Sequence, residues 1–495
     1  MNRILPWLLN ILWCSVLLAA SPVLLFRMLR HGKYRHSWRE RLLGELPQFS
    51  PIQSSPSGDS TTQRIWFHAV SVGEILLLES VIEELLTRQP DTEIVISATT
   101  HTGLDVARRR FPEHTVCCFP LDFTWAVRRA IQRVQPTQIV LVELELWPNF
   151  ILAAAESGVW LGLINGRLGE RSFRGYSKAA WLMRRLIRSF DLLAVQNETY
   201  AERFVALGAK VDRVTVTGSV KFDGLDSDRS NEKTQSLRTA VGLAPDEPVF
   251  VAGSTVDPEE DIVLDAWQAV RREHPELRLI IVPRHKERFD EVGWLIESRN
   301  LGLLRRSNST LLPVCGETTP RACEGVELLE GSGTSASIPS APDGEEETGL
   351  VFAEAILDDG LPPEPAPVIL LDTLGELSVC WGLADFAFVG GSMANRGGQN
   401  MIEPAGYAAA ICFGPDTRNF RDVVTALLKR DAAKVVYDSV ELEETLLAWL
   451  TNRHAATDQG QRARDYVLGQ NGATSKTVSC LIGGELQATS TRRVA

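Results

Sequence analysis

Apolar and polar positions repeat in one pattern along most of the chain. Short apolar runs, such as "RIWFHAVSV" and "QIVLVELE", are each followed by a longer stretch with helical spacing, such as "EILLLESVIEELL". Short buried runs that alternate with helices of about 10 to 15 residues indicate βαβ units around a parallel sheet. The pattern stops at a polar stretch, "DGLDSDRSNEKTQ", and resumes with "PVFVAGS" and "LRLIIVPRH". The sequence therefore predicts two consecutive α/β domains.

The predicted domains are Rossmann-like, and we place them at residues 31–222 and 223–480. Two such domains facing a cleft form a glycosyltransferase-B type arrangement, a fold class that supports several activities and does not identify one. Residues 315–367 interrupt the second domain with a composition rich in Gly, Ser, Pro and acidic residues. Because such a composition buries too little apolar surface to become ordered, we predict a flexible insertion there and assign it no role.

The N-terminus has a different composition. Residues 4–26 carry no charge and are long enough to cross a bilayer. Only Arg3 precedes this stretch, whereas a basic cluster follows it, which favours an uncleaved anchor with the rest of the chain in the cytoplasm over a cleaved signal peptide. We therefore predict a membrane-anchor helix over residues 1–30. An interfacial helix remains the alternative, because three residues interrupt the apolar stretch: Pro6, Asn10 and Pro22.

Charge and cysteine content exclude several classes of protein. The formal charge of −12 argues against general nucleic-acid binding, which requires a basic surface. The eight cysteines show neither zinc-site nor disulfide-framework spacing and fit a reducing compartment. No HExxH motif and no Cys/His spacing typical of a metal site is present, so the sequence predicts neither a metal nor another cofactor.

Three carboxylates follow predicted strands, where open α/β sheets bind ligands. Glu74 ends "HAVSVGE" and opens a helix, where a carboxylate also complements the positive end of the helix dipole. Glu143 and Glu145, in "LVELELWPN", lie two residues apart near a strand end, so alternation puts their side chains on one face. In a purely structural role one of them pairs with an Arg. In the functional alternative they form a polar cleft floor that faces Glu74.

The second domain contains candidate anion-binding residues. In "FVGGSMANRGGQNMIEPAG", paired glycines bracket the start of a helix, where backbone amides and the helix dipole favour phosphate. We expect Asn400 to face the phosphate and Glu403 to bind ribose hydroxyls. Arg284 and His285 follow a predicted strand, and Arg suits phosphate recognition because its charge is permanent and its donors form a fork. A surface Arg-His pair is the alternative.

Eleven ordered motifs together resemble the 3-deoxy-D-manno-octulosonic acid (Kdo) transferases of lipopolysaccharide synthesis. They are "HAVSVGE", "TTHTG", "VELELWPN", "NGRLGERSFRGY", "AVQNE", "VTGSVKFD", "VPRH", "LGEL", "FVGGS", "GGQNMIEPAG" and "FGPDTRNF". The resemblance covers nearly the whole chain outside the insertion. It implies inverting, metal-independent transfer of Kdo from CMP-Kdo to a lipid A precursor at the cytoplasmic face of the inner membrane. It also implies an N-terminal acceptor domain and a C-terminal CMP-Kdo domain.

The resemblance assigns roles to individual residues. Glu74 is the implied general base, and either Glu143 or Glu145 is the second functional carboxylate; the sequence does not choose between them. The implied donor-binding residues are Arg284, His285, Gly375, Glu376, Gly391, Ser392, Gln399, Asn400 and Glu403. The implied acceptor-binding residues are Ser71, Thr100, Arg167, Arg171 and Arg174. The last three would meet the acceptor's phosphates, and a solvated helix face is the alternative for such a basic series.

Two residues depart from the family pattern. Gln399 stands in "GGQN" where the family has His, and Val256 stands in "STV" where the family has His. Gln still donates a hydrogen bond but carries no charge, so donor affinity or donor identity would change. The alternatives to Kdo transfer are another cleft-type glycosyltransferase that uses a different nucleotide sugar on a lipid acceptor, and a non-catalytic homologue that binds lipid or nucleotide.

Overall fold

Two parallel sheets, one in each of two units, organise the chain. The computed structural model describes residues 4–31, 38–50, 63–308 and 366–492. Unit 1 comprises residues 1–225 and 465–495, and unit 2 comprises residues 226–464. All but the last two residues of the predicted insertion lie outside the described residues.

The sheet of unit 1 has the strand order β3-β2-β1-β4-β5-β6-β7, and each neighbouring pair is parallel. The strands are β1 (Arg64–Ala69), β2 (Glu93–Ala98), β3 (Thr115–Cys118), β4 (Gln138–Val142), β5 (Trp160–Gly166), β6 (Leu192–Val195) and β7 (Val214–Val216). The central strands are apolar and buried throughout, as expected for a sheet covered by helices on both faces. The strand order reverses between β1 and β4, which makes this crevice the topological switch point.

Helices of unit 1 cover both faces of its sheet. They are α1 (Ile4–His31), α2 (Trp38–Leu43), α3 (Val72–Arg88), α4 (His101–Arg110), α5 (Thr124–Val134), α6 (Pro148–Glu156), α7 (Glu170–Ser177), α8 (Ala180–Ile187) and α9 (Glu198–Ala206). Helix α3 shows why the sequence folds this way. Its apolar residues recur at helical spacing, and Leu78, Val81 and Leu85 are buried on one face of the helix.

Unit 2 repeats the design, with strand order β10-β11-β9-β8-β12-β13-β14 and parallel pairs. Its strands are β8 (Val249–Thr255), β9 (Arg278–Pro283), β10 (Leu303–Arg305), β11 (Val368–Leu370), β12 (Phe386–Val389), β13 (Ala410–Phe413) and β14 (Lys434–Val435). Its helices are α10 (Glu232–Ala240), α11 (Glu259–Val270), α12 (Phe289–Ser298), α13 (Leu377–Cys380), α14 (Ile402–Gly406), α15 (Arg421–Leu428) and α16 (Ser439–Thr451). The switch point lies between β8 and β12. The two parallel-sheet α/β domains predicted from the sequence are confirmed.

The C-terminal helices α17 (Arg453–Leu468) and α18 (Ala473–Arg492) return the chain to unit 1. Val478 and Leu481 of α18 are buried in the core cluster that includes Val81 of α3. Unit 1 therefore contains a segment that the sequence analysis places at the end of the second domain.

The first half of α1 packs onto unit 1. Leu5 and Leu9 are buried, and Asn10 exchanges two hydrogen bonds with Thr124 at the start of α5. The sequence predicts a membrane-anchor helix over residues 1–30, and α1 is helical over most of that range. None of the helices in the described ranges, however, combines the length and the apolar character that crossing a membrane requires. The predicted spanning anchor is therefore not supported.

Candidate active site

Glu74 lies at the switch point of unit 1, two residues into α3. Ser71 occupies the N-cap position of this helix, and Glu74 turns back towards it: the Glu74 Oε2 accepts the Val70 N–H at 2.8 Å and its Oε1 accepts the Ser71 hydroxyl at 2.9 Å. These bonds fix the carboxylate at the end of β1. The structural role at the helix N-terminus and a role in the crevice are thus combined in one side chain.

Burial is the largest influence on the pKa of Glu74. It raises the pKa of this carboxyl above its usual value, and the negative charge of Glu143 raises it further. The hydrogen bonds from Val70 and Ser71, and the charge of Lys221, act in the opposite direction. A carboxylate that is desolvated yet fixed by donors is a suitable proton acceptor near neutral pH.

Glu145 faces the same crevice from the loop between β4 and α6. Its Oε2 accepts the Trp147 Nε1–H at 2.9 Å. Burial raises the pKa of Glu145 to about 7, and the charges of Glu74 and Glu143 contribute to that rise. Burial and the nearby Glu145 also raise the pKa of the Tyr176 hydroxyl.

Glu143 is held differently. Strand β4 ends at Val142, and Glu143 has a φ of 61°, a left-handed conformation that is uncommon outside glycine. Strand alternation, on which the sequence prediction rests, therefore does not apply to Glu143 and Glu145. Their approach to Glu74 results from this turn instead. The Glu143 carboxylate pairs with Lys221 Nζ at 2.7 Å, so its partner is a Lys and not the Arg of the structural alternative.

Three carboxylates and one ammonium thus occupy the switch point of unit 1. Such a group can accept a proton at one carboxylate and hold a proton at another, which is what general acid-base catalysis needs. Perturbed pKa values in a crevice are typical of functional sites. Within the ranges that the structure describes, no three His, Cys, Asp or Glu side chains are grouped so that they could hold a metal ion.

The predicted acceptor-binding residues divide into two groups. Ser71 contacts Glu74, and Thr100 caps α4 while its hydroxyl donates to the Val70 carbonyl at 3.0 Å, so both adjoin the cluster. Arg171 and Arg174 lie exposed on α7, where Arg174 pairs with Glu170. The half-buried Arg167 follows β5.

The glycine-rich loop of unit 2 is built around Glu259, the first residue of α11. Its Oε1 accepts the N–H groups of Ser392 and Met393, and its Oε2 accepts those of Gly391 and Val256, all at 2.7–3.0 Å. These amides are therefore bound to a carboxylate and are not available to a phosphate. In this structure the side chain of Glu259 occupies the place at the loop that the sequence analysis assigned to a phosphate, and the role of Gly391 and Ser392 in donor binding stays a prediction.

The second glycine pair is engaged as well. The Gly397 N–H donates to Asp416 Oδ2 at 2.9 Å, and the Gly398 N–H donates to the Gly391 carbonyl at 2.8 Å. Gln399 packs directly on Gly391, since a Cβ there would lie 2.7 Å from Gln399 Nε2. The loop is thus held by its own contacts.

Asn400 and Glu403, both predicted at the nucleotide, contact each other. Asn400 Nδ2 donates to Glu403 Oε1 at 2.8 Å, and Asn400 Oδ1 accepts the Ile402 N–H at the start of α14. Burial raises the pKa of Glu403. Ser392 is fully buried, where its hydroxyl donates to the Val389 carbonyl and accepts the Gly414 N–H.

The remaining predicted donor residues differ in exposure. Glu376 is fully buried and pairs with the buried Arg306 of unit 2 at 3.1 Å. Gly375 beside it is exposed, with a φ of 86°. Arg284 and His285 are exposed after β9. Partial desolvation of the guanidinium and the nearby positive charge of Arg396 both lower the pKa of Arg284. Two guanidinium groups that repel each other favour an anion between them.

Four residues that shape these sites were not predicted from the sequence: Lys221, Trp147, Glu259 and Arg396. Glu259 had a detectable signal, because it follows the first strand of its domain and opens a helix as Glu74 does. Lys221 lies in a short 3₁₀ turn, Val220–Phe222, 78 positions from its partner, and a single sequence carries no sign of that pairing.

Comparisons with known proteins agree with the motifs. Residues 36–224 match the family described as "3-Deoxy-D-manno-octulosonic-acid transferase (kdotransferase)". The 3-deoxy-D-manno-octulosonic acid transferase of Haemophilus influenzae is 26% identical over 471 residues, covering 95% of this chain and 97% of the relative. That of Bordetella pertussis is 28% identical over 465 residues, covering 90% and 94%. Among solved structures, UDP-GlcNAc 2-epimerase from Neisseria meningitidis bound to UDP-GlcNAc has a TM-score of 0.53 at 12% identity, covering 85% of this chain and 100% of that chain.

The structural likeness establishes the fold alone, two parallel-sheet α/β domains of the kind found in glycosyltransferase-B enzymes. The relatives establish the class of protein: this chain is a glycosyltransferase. Residues 36–224 match the Kdo transferase family, and the two Kdo transferases align with 95% and 90% of this chain. The resemblance predicted from the motifs is confirmed.

Proposed function

We propose that this protein transfers Kdo from CMP-Kdo to a lipid A precursor in lipopolysaccharide synthesis. One observation supports this most directly: the carboxylate cluster of Glu74, Glu143 and Glu145 lies at the switch point of unit 1, within the residues that match the Kdo transferase family. Curated relatives over nearly the full chain carry the same transferase name. We infer the substrates of this protein from its similarity to these relatives.

Glu74 is the proposed general base. It takes the proton of the acceptor hydroxyl while the hydroxyl oxygen attacks the anomeric carbon of Kdo. The bond from that carbon to the CMP phosphate oxygen breaks, and CMP leaves with the electron pair. A single displacement of this kind inverts the anomeric configuration. The raised pKa of Glu74 makes it a stronger proton acceptor than an exposed Glu, and its two hydrogen bonds keep it oriented.

Glu145 is the proposed second functional carboxylate. Glu143 forms an ion pair with Lys221, whereas Glu145 accepts its hydrogen bond from an uncharged indole. Because Glu145 has a pKa of about 7, it is partly protonated at neutral pH. A protonated Glu145 places no negative charge beside Glu74 and can donate a hydrogen bond to the acceptor sugar.

Unit 2 is the proposed site of CMP-Kdo. Since the glycine-loop amides are bound to Glu259, we assign the donor phosphate to Arg284 and Arg396. Gln399 and Val256 replace two family histidines, and Val256 is buried with its N–H on Glu259. Transfer of a different nucleotide sugar is the second candidate, favoured by these two replacements.

Attachment to the cytoplasmic face of the inner membrane is part of the proposal. Helix α1 exposes a continuous apolar side beyond its docked residues, with Trp7 69% and Ile11 61% exposed. Trp at such a position suits the boundary between lipid headgroups and acyl chains. The basic residues that follow the apolar stretch would contact anionic headgroups. An interfacial α1 thus places the acceptor lipid near unit 1.

The test is an assay of the detergent-solubilised protein with CMP-Kdo generated in situ and a tetraacylated lipid A precursor, read by product mass. We expect the lipid to gain the mass of Kdo. Parallel reactions with UDP- and GDP-sugars test the second candidate. A lipid that gains another sugar, but not Kdo, would replace the proposed donor. A folded protein that modifies no lipid with any donor would favour a non-catalytic role.

A further inference from the structure

A pair of stacked indoles connects α1 to the carboxylate cluster of unit 1. The ring of Trp13, on α1, stacks on that of Trp147, with centroids 6.3 Å apart and planes at 30°. Trp147 in turn donates its Nε1–H to Glu145 Oε2 at 2.9 Å. The Trp147 ring also lies against Phe119 and His68, at centroid distances of 5.4 and 6.4 Å. Its position is therefore set by buried rings on one side and by α1 on the other.

Both indoles are tied to the start of α6. Trp13 Nε1–H donates to Asp122 Oδ2 at 3.2 Å. The same carboxylate accepts the N–H groups of Asn149 and Phe150 at 3.0 and 2.8 Å, which satisfies donors in the first turn of α6. Trp147 is the residue immediately before this helix. The contact of α1 and the orientation of Trp147 thus share one hydrogen-bonded junction.

We propose that Trp147 is a positioning residue for Glu145, and that α1 holds Trp147 in place through Trp13. The proposal rests on the proposed function in giving Glu145 a catalytic role. The indole N–H stabilises the ionised carboxylate, while burial favours the protonated form. An indole that rotates away therefore leaves Glu145 protonated up to a higher pH. The packing of α1 against Trp147 would in this way influence the charge of the Glu145 carboxylate.

Other charged and titratable groups also face Glu145. They are Glu74 from α3, Glu143 from the same loop, Tyr176 from α7, and Lys221 through its pair with Glu143. All four stay in place in the variants below, so a change in the titration of Glu145 reports on the indoles.

The experiment follows the side-chain carboxyl carbon of Glu145 by NMR in the full chain labelled with ¹³Cδ-glutamate, with the resonance assigned by its loss in Glu145→Gln. In Trp147→Phe we expect the titration midpoint to rise by about one pH unit, the size of one hydrogen bond to a charged group. Trp13→Ala should raise it in the same direction. Trp13→Phe keeps a ring on Trp147 and should restore most of the wild-type midpoint.

Trp125→Phe is the matched control, because the Trp125 indole stacks on Phe123 and donates to the Leu42 carbonyl, not to a carboxylate. Its midpoint should equal that of the wild type. Unchanged midpoints in both Trp147→Phe and Trp13→Ala, with native near-ultraviolet circular dichroism, would overturn the proposal. A shift in Trp147→Phe alone would overturn the part assigned to α1. The readout needs no turnover, so a wild type that transfers no Kdo contradicts the proposed function and leaves this measurement decisive.

Discussion

Lys221 donates to Glu143 across 2.7 Å, and this ion pair stands beside two carboxylates whose hydrogen bonds come from uncharged donors. The pair offsets one of three negative charges at the switch point of unit 1. Glu143 therefore has an ionic partner. Glu74 and Glu145 have none among their hydrogen-bond donors, and burial together with nearby negative charge raises their pKa values. The charges of Lys221 and Glu143 thus act in opposite directions on the pKa of Glu74, the proposed base.

Replacement of Lys221 should leave a larger fraction of Glu74 protonated, and so unable to accept a proton, at neutral pH. In Lys221→Met the unpaired Glu143 repels Glu74, and the positive charge that lowers the pKa of Glu74 is lost. We expect the acidic limb of the profile of kcat/KM against pH to move up by about half to one pH unit. Arg213→Met is the control, since it removes an ion pair of unit 1, with Asp191, of similar exposure. A profile that moves equally in both variants would contradict the account.

Glu145 should make the stability of the protein depend on pH. Its pKa in the folded state, about 7, lies above the ordinary value of a Glu, so the folded state binds the proton more tightly than the unfolded state. Stability is therefore highest below the ordinary pKa and falls as pH rises towards 7. In Glu145→Gln this part of the fall should disappear. We expect the variant to gain about 1 to 2 kcal/mol relative to wild type between pH 5 and pH 8, after allowance for solvent screening.

Urea unfolding at the two pH values measures this difference. Asp122 has a pKa raised to about 7 as well, but it is present in both proteins and cancels in the comparison. An equal gain at pH 5 and pH 8 would mean that the substitution acts through packing and not through ionisation.

Glu259 should be essential to the glycine-rich loop of unit 2. In Glu259→Gln, one acceptor oxygen becomes an amide group that faces two N–H donors. We expect unit 2 to lose about 2 to 4 kcal/mol of unfolding free energy, and CMP to bind more weakly. Calorimetry of unfolding and of CMP binding measures both effects. Glu297→Gln, an exposed position on α12, is the control and should be neutral; a neutral Glu259→Gln would refute the assignment.

Arg171 should contribute to binding of the phosphorylated acceptor. It is exposed on α7, so Arg171→Ala removes a charge without opening a cavity. We expect KM for the lipid to rise by about two- to fivefold at low salt, with kcat nearly unchanged and the effect shrinking as ionic strength rises. Arg109→Ala removes an exposed arginine from α4 and should leave KM as it is. Equal effects of the two variants would indicate only a general attraction between charges.

Much of the fold follows from local pattern. The apolar runs that become β1, β4 and β8 are buried on both faces of their sheets, and the helices between them carry one apolar face, so periodicity alone predicts the two domains. The position of Glu74 follows for the same reason, since a carboxylate after the first strand of a parallel sheet lies at the switch point. The return of α18 to unit 1 is a long-range contact without a local signature.

The chemistry of the two switch points could not be predicted in the same way. Glu74 and Glu259 occupy like places, after the first strand of each sheet, and local sequence makes them look alike. Glu259 is committed to four backbone amides, whereas Glu74 accepts two donors and faces other carboxylates. This difference depends on residues more than 60 positions away in the chain. The left-handed conformation of Glu143 could not be predicted either. The side-chain direction expected from the sequence assumed that strand alternation continues through Glu143, and this conformation interrupts it.

The most direct test of the central claim compares two glutamates of α3 in the Kdo transfer assay. Glu74→Gln keeps the shape of the side chain and removes its basicity, whereas Glu79→Gln alters a residue that pairs with Arg110. If Glu74 is the general base, Glu74→Gln lowers kcat by about 10²- to 10⁴-fold with native circular dichroism, and Glu79→Gln matches the wild type. A Glu74→Gln protein that folds normally and keeps full turnover would show that another group takes the proton.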